Sequence, residues 1–171
     1  SCPPADRLIN EMARKPGVFA LSLPVDYWDY IGWKDTLALP AHSNRQRQYA
    51  RTRGDSNVYT PQAVIDGIAH VVGSDPDAIF RMANERYGKD GALLVAISAR
   101  THGAGLRVEL GAAPGEGPRS AVLWLVRVAS KSKVAIGRGE NAGKTVEYSN
   151  VSRGFVRIGE WSGQAATFDI P

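Results

Sequence analysis

The stretch that most narrows what this chain can become is Val58 to Gly73, where two short β runs flank Asp66-Gly67. Asp-Gly supplies two residues that tolerate positive φ, which the tight type I′ turn between antiparallel strands requires. A hairpin is therefore predicted, entered through Tyr59-Thr60-Pro61. Proline has no N–H for a ladder, so Pro61 suits the first residue of a strand. Ser74-Asp75-Pro76 then caps a helix ending near Gly88, with Ile79, Met82 and Ala83 on its inner face.

Upstream, Pro3 and Pro4 suit a first helical turn, where their missing N–H groups cost nothing, and Asp6 complements the dipole. Leu8, Ile9, Met12 and Ala13 share one face of a helix predicted over 3–15, which Pro16-Gly17 ends. Val18 to Val25 follows as a buried strand, giving a helix-to-strand unit of the α/β kind. Residues 26–39 have no clean period and form an aromatic-rich loop. A second helix is expected from about Ala41 to Arg51.

From Gly91 the texture changes. Leu93–Ser98, Leu106–Leu110, Val122–Val128, Val134–Ile136, Phe155–Ile158 and Thr167–Ile170 are strand candidates at sandwich-like spacing, several separated by glycine- and proline-containing turns. The expected organisation is an α/β domain over 1–89 followed by an all-β, sandwich-like region over 90–171.

The 171 residues are 43% hydrophobic and 22% charged, ordinary globular values. No run approaches eighteen apolar residues, so no stable membrane insertion is expected. Arg45, Arg47, Arg51 and Arg53 read as a solvated helix face rather than a nucleic-acid site, which calls for a larger basic patch with interleaved aromatics. His42, His70 and His102 lack ligand spacing, so no metal is expected. Gly139 to Thr145 has three residues between its glycines where a phosphate loop needs four, which removes the nucleotide reading, and no cofactor is implied. Asn150-Val151-Ser152 is a glycosylation sequon of the sort common by chance. The sequence sets no oligomeric state.

Chemistry concentrates at Cys2 and around Pro61. A cysteine directly before a helix meets unpaired N–H groups and a positive dipole end, which stabilise a thiolate; the alternative is a small buried hydrophobe. The order cysteine-helix, strand, helix, proline-hairpin, helix places Pro61 where a thioredoxin fold keeps the cis-proline that presents backbone to an extended substrate; the alternative is an ordinary trans-proline at the first residue of a strand. Asp26, at the end of the predicted strand, could accept the thiol proton or cap the loop holding Tyr27 and Trp28. Trp28 and Trp33 could wall a peptide groove or plug the loop. Gln62 faces substrate or solvent.

Ser1-Cys2-Pro3-Pro4-Ala5-Asp6, Val25-Asp26-Tyr27-Trp28-Asp29, Gly32-Trp33-Lys34-Asp35, Val58-Tyr59-Thr60-Pro61-Gln62 and Gly139 to Thr145 with Tyr148 together resemble the family known as domain of unknown function 1223. That resemblance implies a thioredoxin-like domain with a C-terminal β region and a periplasmic or secreted location. It also implies that Ser1-Cys2 closes a Cys-Ser-Ser-Cys motif, making Cys2 the second, resolving thiol. The expected activity is thiol–disulfide exchange on exported protein or peptide thiols, with Cys2 and Asp26 as catalytic groups and Trp28, Tyr59, Thr60 and Pro61 holding substrate. The alternative is a non-catalytic binding module on the same scaffold, since a single cysteine supplies only one of the two thiols that exchange requires.

Overall fold

The computed structural model describes residues 2–87, 94–115 and 119–171. Helix α1 spans Pro3–Met12, with Cys2 as its N-cap and prolines in its first turn. Its last turn tightens, Arg14 bonding back to the Glu11 carbonyl and Lys15 to Met12, so the helix stops short of the predicted residue 15. Helix α2 spans Pro40–Arg53, buries His42, Ser43 and Ala50, and closes on Gly54 in the left-handed conformation. Helix α3 spans Pro76–Arg86. Asp75 caps it, its carboxylate accepting the Ala78 N–H at 2.9 Å.

Strands β1 (Gln62–Ile65) and β2 (Ala69–Val72) pair antiparallel, with Gln62 opposite Val72 and Ile65 opposite Ala69. Asp66 and Gly67 take φ values of 50° and 74°, and Ile68 N–H bonds the Ile65 carbonyl at 3.0 Å, the type I′ turn expected of Asp-Gly.

The segment Val18–Val25 differs from expectation. It forms no strand ladder, only an isolated parallel bridge between Ser22 and Val151. Ser22 N–H donates to the Asn150 carbonyl and Ser152 N–H to the Ser22 carbonyl, both at 3.0 Å. Pro24 has no donor to extend the pairing. The run is also not buried throughout, since Phe19 is 100% exposed while its neighbour Ala20 is 6% exposed.

Strands β3 (Ile97–His102), β4 (Gly105–Leu110) and β7 (Ala166–Ile170) form an antiparallel sheet in the order β3-β4-β7. The first predicted strand of this region starts at Leu93, which lies outside the described residues, as does the expected boundary at 89–90. Two candidates, Val122–Val128 and Val134–Ile136, are joined into one strand, β5 (Ala121–Ala135), because no glycine or proline interrupts 129–133. It pairs with β6 (Thr145–Trp161), which absorbs the Phe155–Ile158 candidate. Gly139 to Thr145 leads from β5 into β6, with Gly143 N–H on the Ile136 carbonyl at 2.8 Å.

Two compact units result, and they interleave along the chain. One comprises residues 1–82 with 126–155, the other residues 83–125 with 156–171. In the first, Leu37, Val134, Tyr148 and Val151 form a buried apolar cluster, against which Trp33 and Val146 pack. In the second, Trp161 is 2% exposed and donates its indole N–H to the Gly111 carbonyl at 3.2 Å. No helix among the described residues is long and apolar enough to cross a membrane.

Candidate functional site

Cys2 is a free, partly buried cysteine with extended backbone at the start of α1, its carbonyl accepting the Asp6 N–H at 2.9 Å. Asp6, one turn into the helix, is the carboxyl that sequence reasoning passed over as a mere dipole partner. Burial, with Asp35 adding to it, raises its pKa to about 6. Its Oδ2 is shielded from solvent and has no hydrogen-bond partner among the described residues. The signal available in the sequence was its spacing from Cys2, since position i+4 lies over the same helix face.

Asp26 is committed elsewhere. Its carboxylate accepts the Ser43 hydroxyl from α2, and its own N–H donates back to Ser43 Oγ at 3.2 Å. This reciprocal pair fastens the aromatic loop to α2. Asp29, in the short 3-10 turn Asp29–Ile31, accepts the Asp35 N–H at 3.2 Å and closes the loop on itself.

The loop sends its two tryptophans in different directions. Trp33 packs on the buried cluster. Trp28 stays 44% exposed, stacks with Tyr30 at 6.3 Å between ring centroids, and donates its indole N–H to Thr60 Oγ1 at 2.9 Å. Trp28 and the Tyr59-Thr60-Pro61 run are thus brought together across 32 residues of sequence. An open groove of about 470 Å³ lies here, lined by Tyr27, Trp28, Tyr30, Arg47 and the run Val58-Tyr59-Thr60.

The Thr60–Pro61 peptide is cis, and the Pro61 carbonyl accepts the Gly73 N–H at 2.9 Å, which seats it at the foot of the hairpin. Gln62 turns inward to accept the Gln46 amide at 2.8 Å and to donate to the Asn57 carbonyl at 3.0 Å. Gln46 also donates to the Tyr59 carbonyl and accepts the Tyr27 hydroxyl, so a single α2 side chain ties both walls of the groove. Burial pushes the Tyr27 phenol above its ordinary pKa.

Behind the groove, Tyr59 Oη lies 2.8 Å from His70 Nδ1 on β2. His70 Nε2 is 3.7 Å from Asp55, which holds Arg53 in a two-pronged pair at 2.8 and 3.0 Å. The arginines expected to share a solvated face therefore divide. Arg53 is nearly buried behind the groove, Arg45 sits over the Tyr49 and Phe155 rings, and Arg47 borders the opening. Asn150, of the sequon, turns its amide inward to the Ala20 carbonyl at 3.0 Å, between buried strand neighbours. Among the described residues no cluster of three or more His, Cys, Asp or Glu could hold a metal ion.

Over all of residues 1–171 the chain matches the sequence profile of the family described as Protein of unknown function (DUF1223). It is a member of that family. Its fold is shared with a crystal structure of an Agrobacterium tumefaciens protein at 31% identity and a TM-score of 0.85, over 99% of this chain and 72% of the other. No curated protein matches this DUF1223 chain.

Proposed function

We propose that this DUF1223 protein is a thioredoxin-like thiol–disulfide oxidoreductase acting on exported proteins, with a β-rich companion region. The observation that carries the reading is the free Cys2 at the head of α1, one turn from Asp6, a partly buried carboxyl whose pKa is raised to about 6. A group with that proton affinity can take and return a thiol proton near neutral pH. Asp6 therefore takes the role that Asp26, already bonded to Ser43, is less free to fill.

The exchange proceeds in two displacements. A cysteine two residues upstream of Ser1, as the family resemblance implies, attacks a substrate disulfide as thiolate and expels one substrate sulfur as a thiolate. Cys2 thiolate then attacks the mixed disulfide, forming the disulfide with the upstream cysteine and releasing the second substrate sulfur. The substrate gains two electrons and the protein dithiol loses two. Tyr59 and Thr60 face the substrate strand, with Trp28 as a wall.

Intact-mass alkylation of the full-length protein before and after reduction tests this. Two alkylations that appear only on reduction, one of them at Cys2, support exchange. A single alkylation independent of reductant refutes it. The groove favours a second reading, a binding module without redox chemistry, under which Cys2→Ser leaves partner binding and phenotype unchanged.

A further inference from the structure

We infer that the groove between the aromatic loop and the Val58-Tyr59-Thr60 run selects an extended peptide carrying an acidic side chain. This deepens the exchange reading by naming its substrate class, and it rests on that reading. Three observations converge. The N–H groups of Val58, Tyr59 and Thr60, and the carbonyls of Val58 and Thr60, make no hydrogen bond within the described chain, whereas the Tyr59 carbonyl is held by Gln46. A run of unpaired backbone groups leading into a strand is a template for one more strand. A small carboxylic acid would leave that edge unused; a peptide strand satisfies it.

The walls then set which strand. Trp28 and Tyr30, 44% and 79% exposed, offer stacked ring faces to an apolar side chain. Arg47 is the one charged residue lining the groove, and none of the lining residues is acidic. Its guanidinium makes a single hydrogen bond, to Asn44 Oδ1 at 3.1 Å, and no ion pair among the described residues. Of its five donors, four remain to meet a carboxylate, which fits the guanidinium fork in two-pronged fashion. The peptide presents its apolar side chain to the Trp28 and Tyr30 rings and its acidic side chain to Arg47.

Fluorescence anisotropy on the full-length reduced protein tests the assignment, with three labelled peptides of one alternating scaffold that differ only in Asp, Asn or Lys at one position. The Asp peptide is expected to bind roughly fivefold to tenfold more tightly than the Asn peptide, as charge-assisted hydrogen bonds at a partly exposed site allow, and the gap should shrink as salt rises. Arg47→Met should abolish the gap, and Arg47→Glu should turn the preference toward the Lys peptide. Equal affinities, a preference that survives Arg47→Glu, or no binding of any peptide overturns the assignment. Charge-blind binding by a protein that still shows its reducible thiol pair removes only the acidic substrate. Charge-selective binding by a protein without that pair removes only the exchange chemistry.

Discussion

The phenol of Tyr59 and the imidazole of His70 meet at 2.8 Å between strand entry and strand exit of the same hairpin, with their rings edge-on at 5.6 Å. The contact fixes the residue that precedes Thr60-Pro61 against the return strand. Behind it stands the Asp55–Arg53 pair, so the groove's floor is braced by a chain of polar contacts. Tyr59→Phe should cost about 1 kcal/mol of stability, the usual net worth of one hydrogen bond. A double-mutant cycle with His70→Phe should give a coupling of similar size in urea unfolding, and strict additivity would show that the contact contributes nothing.

Asp6 carries a pH signature of its own. Its pKa in the folded protein is about 6, above the ordinary 3.8, so the native state binds more protons than the unfolded chain between those values. Stability from this group is fully present below pH 3.8 and is lost as pH rises through about 6. Asp6→Asn should therefore stabilise the protein at pH 7.5 by on the order of 1–2 kcal/mol, less than the full shift because the group is partly exposed. At pH 4 the two proteins should unfold at nearly the same urea concentration.

His42 should act in the opposite direction. It is fully buried on α2, with Nδ1 2.7 Å from the Pro24 carbonyl and Nε2 without a hydrogen-bond partner among the described residues. Burial, reinforced by the nearby positive charge of Arg153, lowers its pKa below 6.5. Below pH 6.5 the unfolded chain takes up a proton that the folded protein resists, so stability falls as pH drops through that value and on toward the folded pKa. In an Asp6→Asn background, urea midpoints should decline from pH 7 to pH 5. Adding His42→Gln should flatten that decline while lowering the midpoint at pH 7.

Gly67 is held at φ 74°, and a Cβ there would meet the Tyr49 ring at 3.3 Å. Gly67→Ala should destabilise by about 1–2 kcal/mol, the cost of the left-handed conformation for an L-residue. Gly139→Ala, at φ 86° with nothing within 4 Å, pays the conformational cost without the contact and should lose less. Equal losses would show that Tyr49 yields freely.

The hairpin was legible because Asp-Gly encodes its turn locally, and the helices were legible because proline starts and glycine stops act within one turn. The strand expected at Val18–Val25 was not, because apolar content cannot distinguish a ladder from a single bridge. What decides between them is the Ser22–Val151 contact, 129 residues away in sequence, together with the missing donor of Pro24. At the candidate site, Tyr59, Thr60 and Trp28 were singled out from residue type and order, and the structure brings them to one groove. Whether Trp28 or Trp33 faced outward depended on a core supplied by β5 and β6, which no local pattern reports. Asp6 escaped for the same reason: its proton affinity comes from what covers it, and the cover is tertiary.

The interleaving of the two compact units has a genealogical consequence. The chain passes from one unit to the other after residues 82, 125 and 155, so neither unit is a contiguous stretch that recombination could lift out or replace. Cys2 and the groove share their unit with residues 126–155, so trading that β-rich stretch for another module would remove Val134, Tyr148 and Val151 from the cluster on which Trp33 of the aromatic loop packs. A swap of either unit would therefore have to carry two separate stretches of the chain at once.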